Sequence, residues 1–78
     1  MKIVVKRDEE GNVKEIVVKE EEKIIEVLRN KYNIHNAKTF LECFLDSFEE
    51  GSLTVFEEEW LRANKDATKF LESLVIEK

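Results

Sequence analysis

A chain of 78 residues holds one hydrophobic core and not two, and a domain of this size buries only roughly 60% of its unfolded surface. Charged residues make up 40% and apolar residues 42%, and their periodic order argues against disorder, which needs low hydrophobicity together with high charge. A net charge of −5 disfavours phosphate backbones and anionic lipid, so neither a nucleic-acid nor a membrane partner is expected.

Residues 2–7 (Lys-Ile-Val-Val-Lys-Arg) and 13–19 (Val-Lys-Glu-Ile-Val-Val-Lys) are β-branched runs separated by Asp8-Glu9-Glu10-Gly11-Asn12. The spacing predicts an antiparallel hairpin closed by a type I turn, with Gly11 in the left-handed region as a G1 bulge. Glycine suits that position because a β-carbon penalises positive φ. Both hairpin faces carry Val and Ile, so the sequence leaves open which one is buried. A lone hairpin is marginal in water. It must lie on helices or gain strands from a second copy, while Lys2, Lys6, Lys14 and Lys19 on its edges discourage open-ended pairing.

Helix periodicity begins at residue 20. Ile24, Ile25, Leu28 and Tyr32 recur at helical spacing and predict a first helix over 20–32, ended by Asn33-Ile34-His35-Asn36. Ala37, Phe40, Leu41, Phe44, Leu45 and Phe48 form a wide apolar stripe on a second helix over 37–49, closed by Gly51. Thr54 with Glu57 is a capping box that opens a third helix. Its seam runs through Phe56, Trp60, Ala63, Ala67, Phe70, Leu71 and Leu74 without a change of phase, which favours one long helix to Leu74 over a break at Asn64-Lys65-Asp66 with Asp66 capping a short fourth helix. Val75-Ile76 reads as a frayed end or a short strand. The fold class expected is α+β, one domain, with an N-terminal hairpin followed by three helices. The expected core is Ile3, Val5, Ile16, Val18, Ile25, Leu28, Phe40, Leu41, Phe44, Leu45, Phe48, Trp60, Phe70, Leu71 and Leu74.

One cysteine, Cys43, allows no intramolecular disulfide and no cysteine metal cluster. With no secretory pattern at the N-terminus and no apolar run near the ~18 residues of a membrane span, a reducing, cytoplasmic setting is expected for a natural chain and a recombinant one for a designed chain. Cys43 reads as a small core hydrophobe, because Glu42 beside it opposes thiolate formation. His35, the single histidine, lacks a neighbouring nucleophile or second ligand and reads as a capping or surface residue. The acidic runs Glu20–Glu22 and Glu57–Glu59 sit in first helical turns, where they complement the helix dipole. No catalytic constellation and no cofactor site emerges, so the chain is read as a non-enzyme.

Two segments carry candidate chemistry. Asp46 to Glu57 places Asp46, Glu50, Ser52, Thr54 and Glu57 as oxygen donors around Gly51, between two helices. This resembles the calcium loop of the EF-hand family, in which the glycine at loop position six allows the turn that converges the ligands. Phe48 stands at position three and Glu50 at position five, and the same residues also read as a helix end followed by a cap. The resemblance implies a single calcium-binding helix-loop-helix. Phe56, Trp60 and Ala63, spaced i, i+4, i+7, form an apolar edge that a helix can lay into a partner's groove. The pattern resembles the Phe-x-x-x-Trp-x-x-Leu helices of groove-binding peptides, with Ala63 where those have Leu. It implies a protein partner; a homodimer sharing the hairpin is the other association expected.

The turn Lys-Arg-Asp-Glu-Glu-Gly-Asn-Val-Lys-Glu, the absence of proline and the Lys/Glu surface resemble computationally designed α/β mini-proteins, mainly over residues 2–28. That resemblance implies a scaffold without enzymatic function. Residues 30–47, with Cys43, His35 and an Asn-rich connection, depart from the style.

Overall fold

The computed structural model describes residues 1–48 and 53–78. Strands β1 (Lys2–Arg7) and β2 (Val13–Lys19) form the N-terminal hairpin. Its turn is built as the glycine requires. The Gly11 N–H donates to the Asp8 carbonyl at 3.1 Å, the Asp8 N–H donates to the Asn12 carbonyl at 2.9 Å, and Gly11 has φ +87°. The Asp8 carboxylate accepts from the N–H groups of Glu10 and Asn12, both at 2.9 Å, and so ties the loop from inside. The register then slips by one residue: Lys6 faces Glu15 while Arg7 faces Val13.

The helices follow as α1 (Glu21–Asn30), α2 (Ala37–Asp46), α3 (Val55–Ala63) and α4 (Lys65–Leu74), and the chain ends in β3 (Val75–Glu77). The α+β class with a leading hairpin is therefore what the chain adopts. Two expectations are corrected. The first is the source of the hairpin's extra strand, expected from a second copy: Val75-Ile76 takes the short-strand alternative, and β3 pairs parallel to β1 within the same chain, giving the strand order β2-β1-β3. Val75 faces Ile3, Ile76 faces Val4 and Glu77 faces Val5. The Arg7 N–H donates to the Lys78 carbonyl at 3.2 Å and the Lys78 N–H to the Val5 carbonyl at 2.9 Å. Lys2 and Lys6 thus lie on the central strand and guard no edge.

The second correction concerns the long third helix, which breaks at Asn64 (φ −108°, ψ 51°). Asn64 turns its side-chain amide back to donate to the Trp60 carbonyl at 3.0 Å, and its own N–H reaches the same oxygen at 3.2 Å. The Thr68 hydroxyl lies 2.9 Å from the Leu61 carbonyl and 3.1 Å from that of Asn64. The Trp60 carbonyl thus keeps its helical N–H and gains a second donor, while the Leu61 carbonyl takes a side-chain hydroxyl at the end of α3. Asn64, not Asp66, marks the junction. The apolar seam kept its phase through the break, and this is why periodicity alone did not reveal it.

The core lies between one sheet face and the helices. Ile3 and Val5 are fully buried there with Ile24, Leu28, Phe40, Leu41 and Leu71, while Phe44 and the small residues Ala37 and Ala67 close the packing. Of the expected core, Ile16, Val18, Ile25, Leu45, Phe48, Trp60, Phe70 and Leu74 are only half-buried at its margin. Ile24, rather than Ile25, points inward. Ile34 is buried because the chain turns at Asn33 (φ 56°), whose short polar side chain tolerates the left-handed region, and the Ile34 N–H closes on the Leu28 carbonyl at 3.1 Å. That turn ends α1 at Asn30, short of the expected residue 32. Helix α2 ends at Asp46 with Ser47 as its cap, short of residue 49. The expected closure at Gly51 lies outside the described residues.

Helix α1 starts after Glu20, which is itself left-handed at φ 59°. Its carboxylate accepts from Lys23 Nζ at 2.8 Å and from the Met1 ammonium at 2.7 Å. Hydrogen bonds from Lys23 and then from the N-terminus hold its pKa down at about 2, against an ordinary 4.5. A carboxyl whose pKa is lowered on folding stabilises the folded state above its unfolded pKa, and the contribution is lost as pH falls through the folded value. The wild-type chain is therefore expected to lose stability between pH 4.5 and about 2 more steeply than Glu20→Gln, as measured by urea unfolding across that range. Parallel profiles would contradict the assignment.

Candidate functional site

The start of α3 is fixed by reciprocal capping. The Glu57 N–H donates to Thr54 Oγ1 at 3.2 Å, and the Thr54 N–H donates to Glu57 Oε2 at 2.8 Å. Two of the five candidate calcium donors are thus bonded to each other. Asp46 is exposed at the end of α2, while Glu50 and Ser52 lie outside the described residues. Phe48, at loop position three, packs edge-on against Phe44 with ring centroids 5.3 Å apart, as the apolar stripe requires. Among the described residues no group of three or more His, Cys, Asp or Glu side chains is placed to hold a metal ion.

The capping box holds Val55 and Phe56 on the first turn of α3, each 72% exposed. No residue of α3 is fully buried. Trp60 is its half-buried anchor: the indole meets the core ring of Phe40 in a T-shaped contact (5.5 Å, 78°) and the ring of Phe56 in a tilted one (6.3 Å, 37°). Phe56 therefore stands outside the core with Trp60 as its floor. Ala63 is exposed but borders a separate hollow with Lys31, Tyr32, Asn64 and Asp66. The structure brings Phe56 and Trp60 together and leaves Ala63 apart. Val55 joins the surface instead, a residue that helix spacing from Phe56 did not pick out. Glu58 and Glu59 follow it at i+3 and i+4 and give the apolar pair an acidic border.

Cys43 is buried and free. Burial pushes its thiol pKa up, and the negative charges of Glu57, Asp46 and Glu42 add to the effect. His35 is exposed in the α1–α2 connection. Sequence reasoning missed the sheet face turned away from the helices. There Val4, Val17 and Ile76 lie side by side, with Lys2, Lys6, Lys19 and Lys78 at the alternate positions around them. The signal was present in the period-two alternation of both strands, Lys2-Val4-Lys6 and Glu15-Val17-Lys19, but its meaning depended on which face was buried.

Comparison of the chain with protein-family models, with curated proteins and with solved structures finds no match.

A thiol that is buried and held neutral reacts slowly, since the thiolate is the nucleophile. The rate of Cys43 with an aromatic disulfide reagent at pH 8 is expected to rise by roughly ten-fold or more on unfolding in urea. Equal rates in folded and unfolded chain would show that Cys43 is accessible.

Proposed function

We propose that this chain is a small protein-interaction module that works by binding rather than catalysis and docks through the first turn of α3. The observation that carries the reading is the adjacent pair Val55 and Phe56, each 72% exposed on a helix whose start is locked by a capping box. An exposed aromatic held on a rigid element loses little conformational freedom on binding, which is what an interface anchor needs. Glu58 and Glu59 beside the pair favour a partner that offers an apolar pocket with Lys or Arg at its rim. The likeness of residues 2–28 to designed mini-proteins bears on origin; the α3 surface bears on activity.

The reading separates the two tasks an aromatic can have. If Phe56 serves recognition, Phe56→Ser should change unfolding free energy by less than about 1 kcal/mol, against the roughly 3–5 kcal/mol lost when a core aromatic is truncated. A photo-crosslinking residue at position 55 should then give a discrete protein adduct that disappears with Phe56→Ser. A core-sized loss of stability would assign Phe56 to folding and remove the proposal.

A further inference from the structure

The free edge of β2 points to a second site, independent of α3. The N–H of Arg7 and the C=O of Val5 turn toward β3, where they bond Lys78. Successive residues of a strand turn their peptide groups to alternate sides, so Val4 and Lys6 turn theirs toward β2. Their partners there, Val17 and Glu15, face back toward β1. Ile16 and Val18 consequently hold their N–H and C=O groups on the outer edge, where no other strand pairs with them among the described residues.

We infer that this edge pairs with the β2 edge of a second copy, antiparallel, about a two-fold axis through Val17. The register follows from the sequence. With Val17 opposite Val17 of the second copy, Ile16 meets Val18 in a hydrogen-bonded pair on each side of the axis, matching the outward peptide groups. Glu15 then lies opposite Lys19 of the second copy, twice over. A shift of two residues either way breaks the match: it sets Glu15 or Lys19 opposite Val17. Charge complementarity thus selects one register.

The same register completes both faces of the sheet. On the helix side, Val75, Ile3 and Val18 of one copy continue into Ile16 and Val5 of the other. On the open side, Ile76, Val4 and Val17 meet their own images in one apolar row. The flanking row becomes Lys6, Glu15, then Lys19 and Lys2 of the second copy. In a single chain Lys2 and Lys19 are directly opposed, a like-charge pair that costs stability. The pairing sets Glu15 of the other copy beside Lys19 and relieves it. Lys6 already holds Glu15 at 3.6 Å, which orients the carboxylate along that row. The contact is isologous and closes at two copies. The edges left over are the three-residue β3 strands, too short to recruit further chains readily.

A charge swap tests the pairing and its register together, since the Glu15 and Lys19 side chains are both exposed. Analytical ultracentrifugation, carried out in a Phe56→Ser background to silence α3, should find two chains of 9.2 kDa associated. Glu15→Lys and Lys19→Glu should each raise the dissociation constant by roughly ten-fold or more, because each sets like charges opposite one another at two positions. Mixing the two variants should restore association as a heterodimer, detected by native mass spectrometry. The inference is overturned if the parent chain stays a monomer at the highest attainable concentration, if Glu15→Lys associates as the parent does, or if the mixed variants fail to pair.

Discussion

Burial of the central strand is the constraint on which the rest of this structure depends. Ile3 and Val5 have no exposed surface, yet they sit at the very start of the chain, where ends ordinarily fray. They are held because β1 is paired on both sides, by β2 through a tight turn and by β3 from the other end of the sequence. A hairpin alone would leave one edge of β1 open and its apolar face partly wet. The C-terminal strand is short, but it closes the sheet over the residues that the helices pack against. Arg7 adds to the closure with an exposed ion pair to Glu77 at 3.1 Å. Such a pair contributes little by itself; the backbone bonds to Lys78 and the cover given to Ile3 and Val5 contribute more.

That closure also explains why the helices divide their work unevenly. Helices α1, α2 and α4 supply the buried side chains, whereas α3 supplies none. The break at Asn64 lets α4 turn Ala67 and Leu71 inward while α3 keeps the half-buried Trp60 and Leu61 against the core. The first turn of α3 carries Val55 and Phe56 outward, away from the core. A buried sheet and an outward-facing helical turn are compatible because different residues serve each.

Much of this was legible in the residues. The hairpin turn followed from Gly11 and Asp8, the α2 stripe from Phe40, Leu41 and Phe44, and the start of α3 from the Thr54–Glu57 box. Each is a local pattern with a local physical cause. What escaped was decided at long range. Val75-Ile76 reads equally as a frayed end or a short strand, and what decides for the strand is that Ile3 and Val4 lie beside it. Asn64 breaks a helix whose apolar phase is unbroken, through hydrogen bonds that periodicity does not register. Phe56 belonged to the same seam as Trp60 in sequence and is separated from the core by a single helical turn. The buried face of the hairpin could not be chosen from composition, since Val4 and Val17 match Ile3 and Val18 in character. With that choice open, the lysine-framed outer face stayed out of sight, and the expected hairpin-sharing dimer had neither an edge nor a register.

The most direct test of the central claim is native-state hydrogen exchange at the two ends of the chain. If β3 closes the sheet, the Arg7 and Lys78 amides, which donate across the β1–β3 contact, should exchange with the protection of the sheet interior and lose it together with the β1–β2 amides. Exchange of Arg7 and Lys78 at the rate of an unstructured chain, with the hairpin amides still protected, would contradict it.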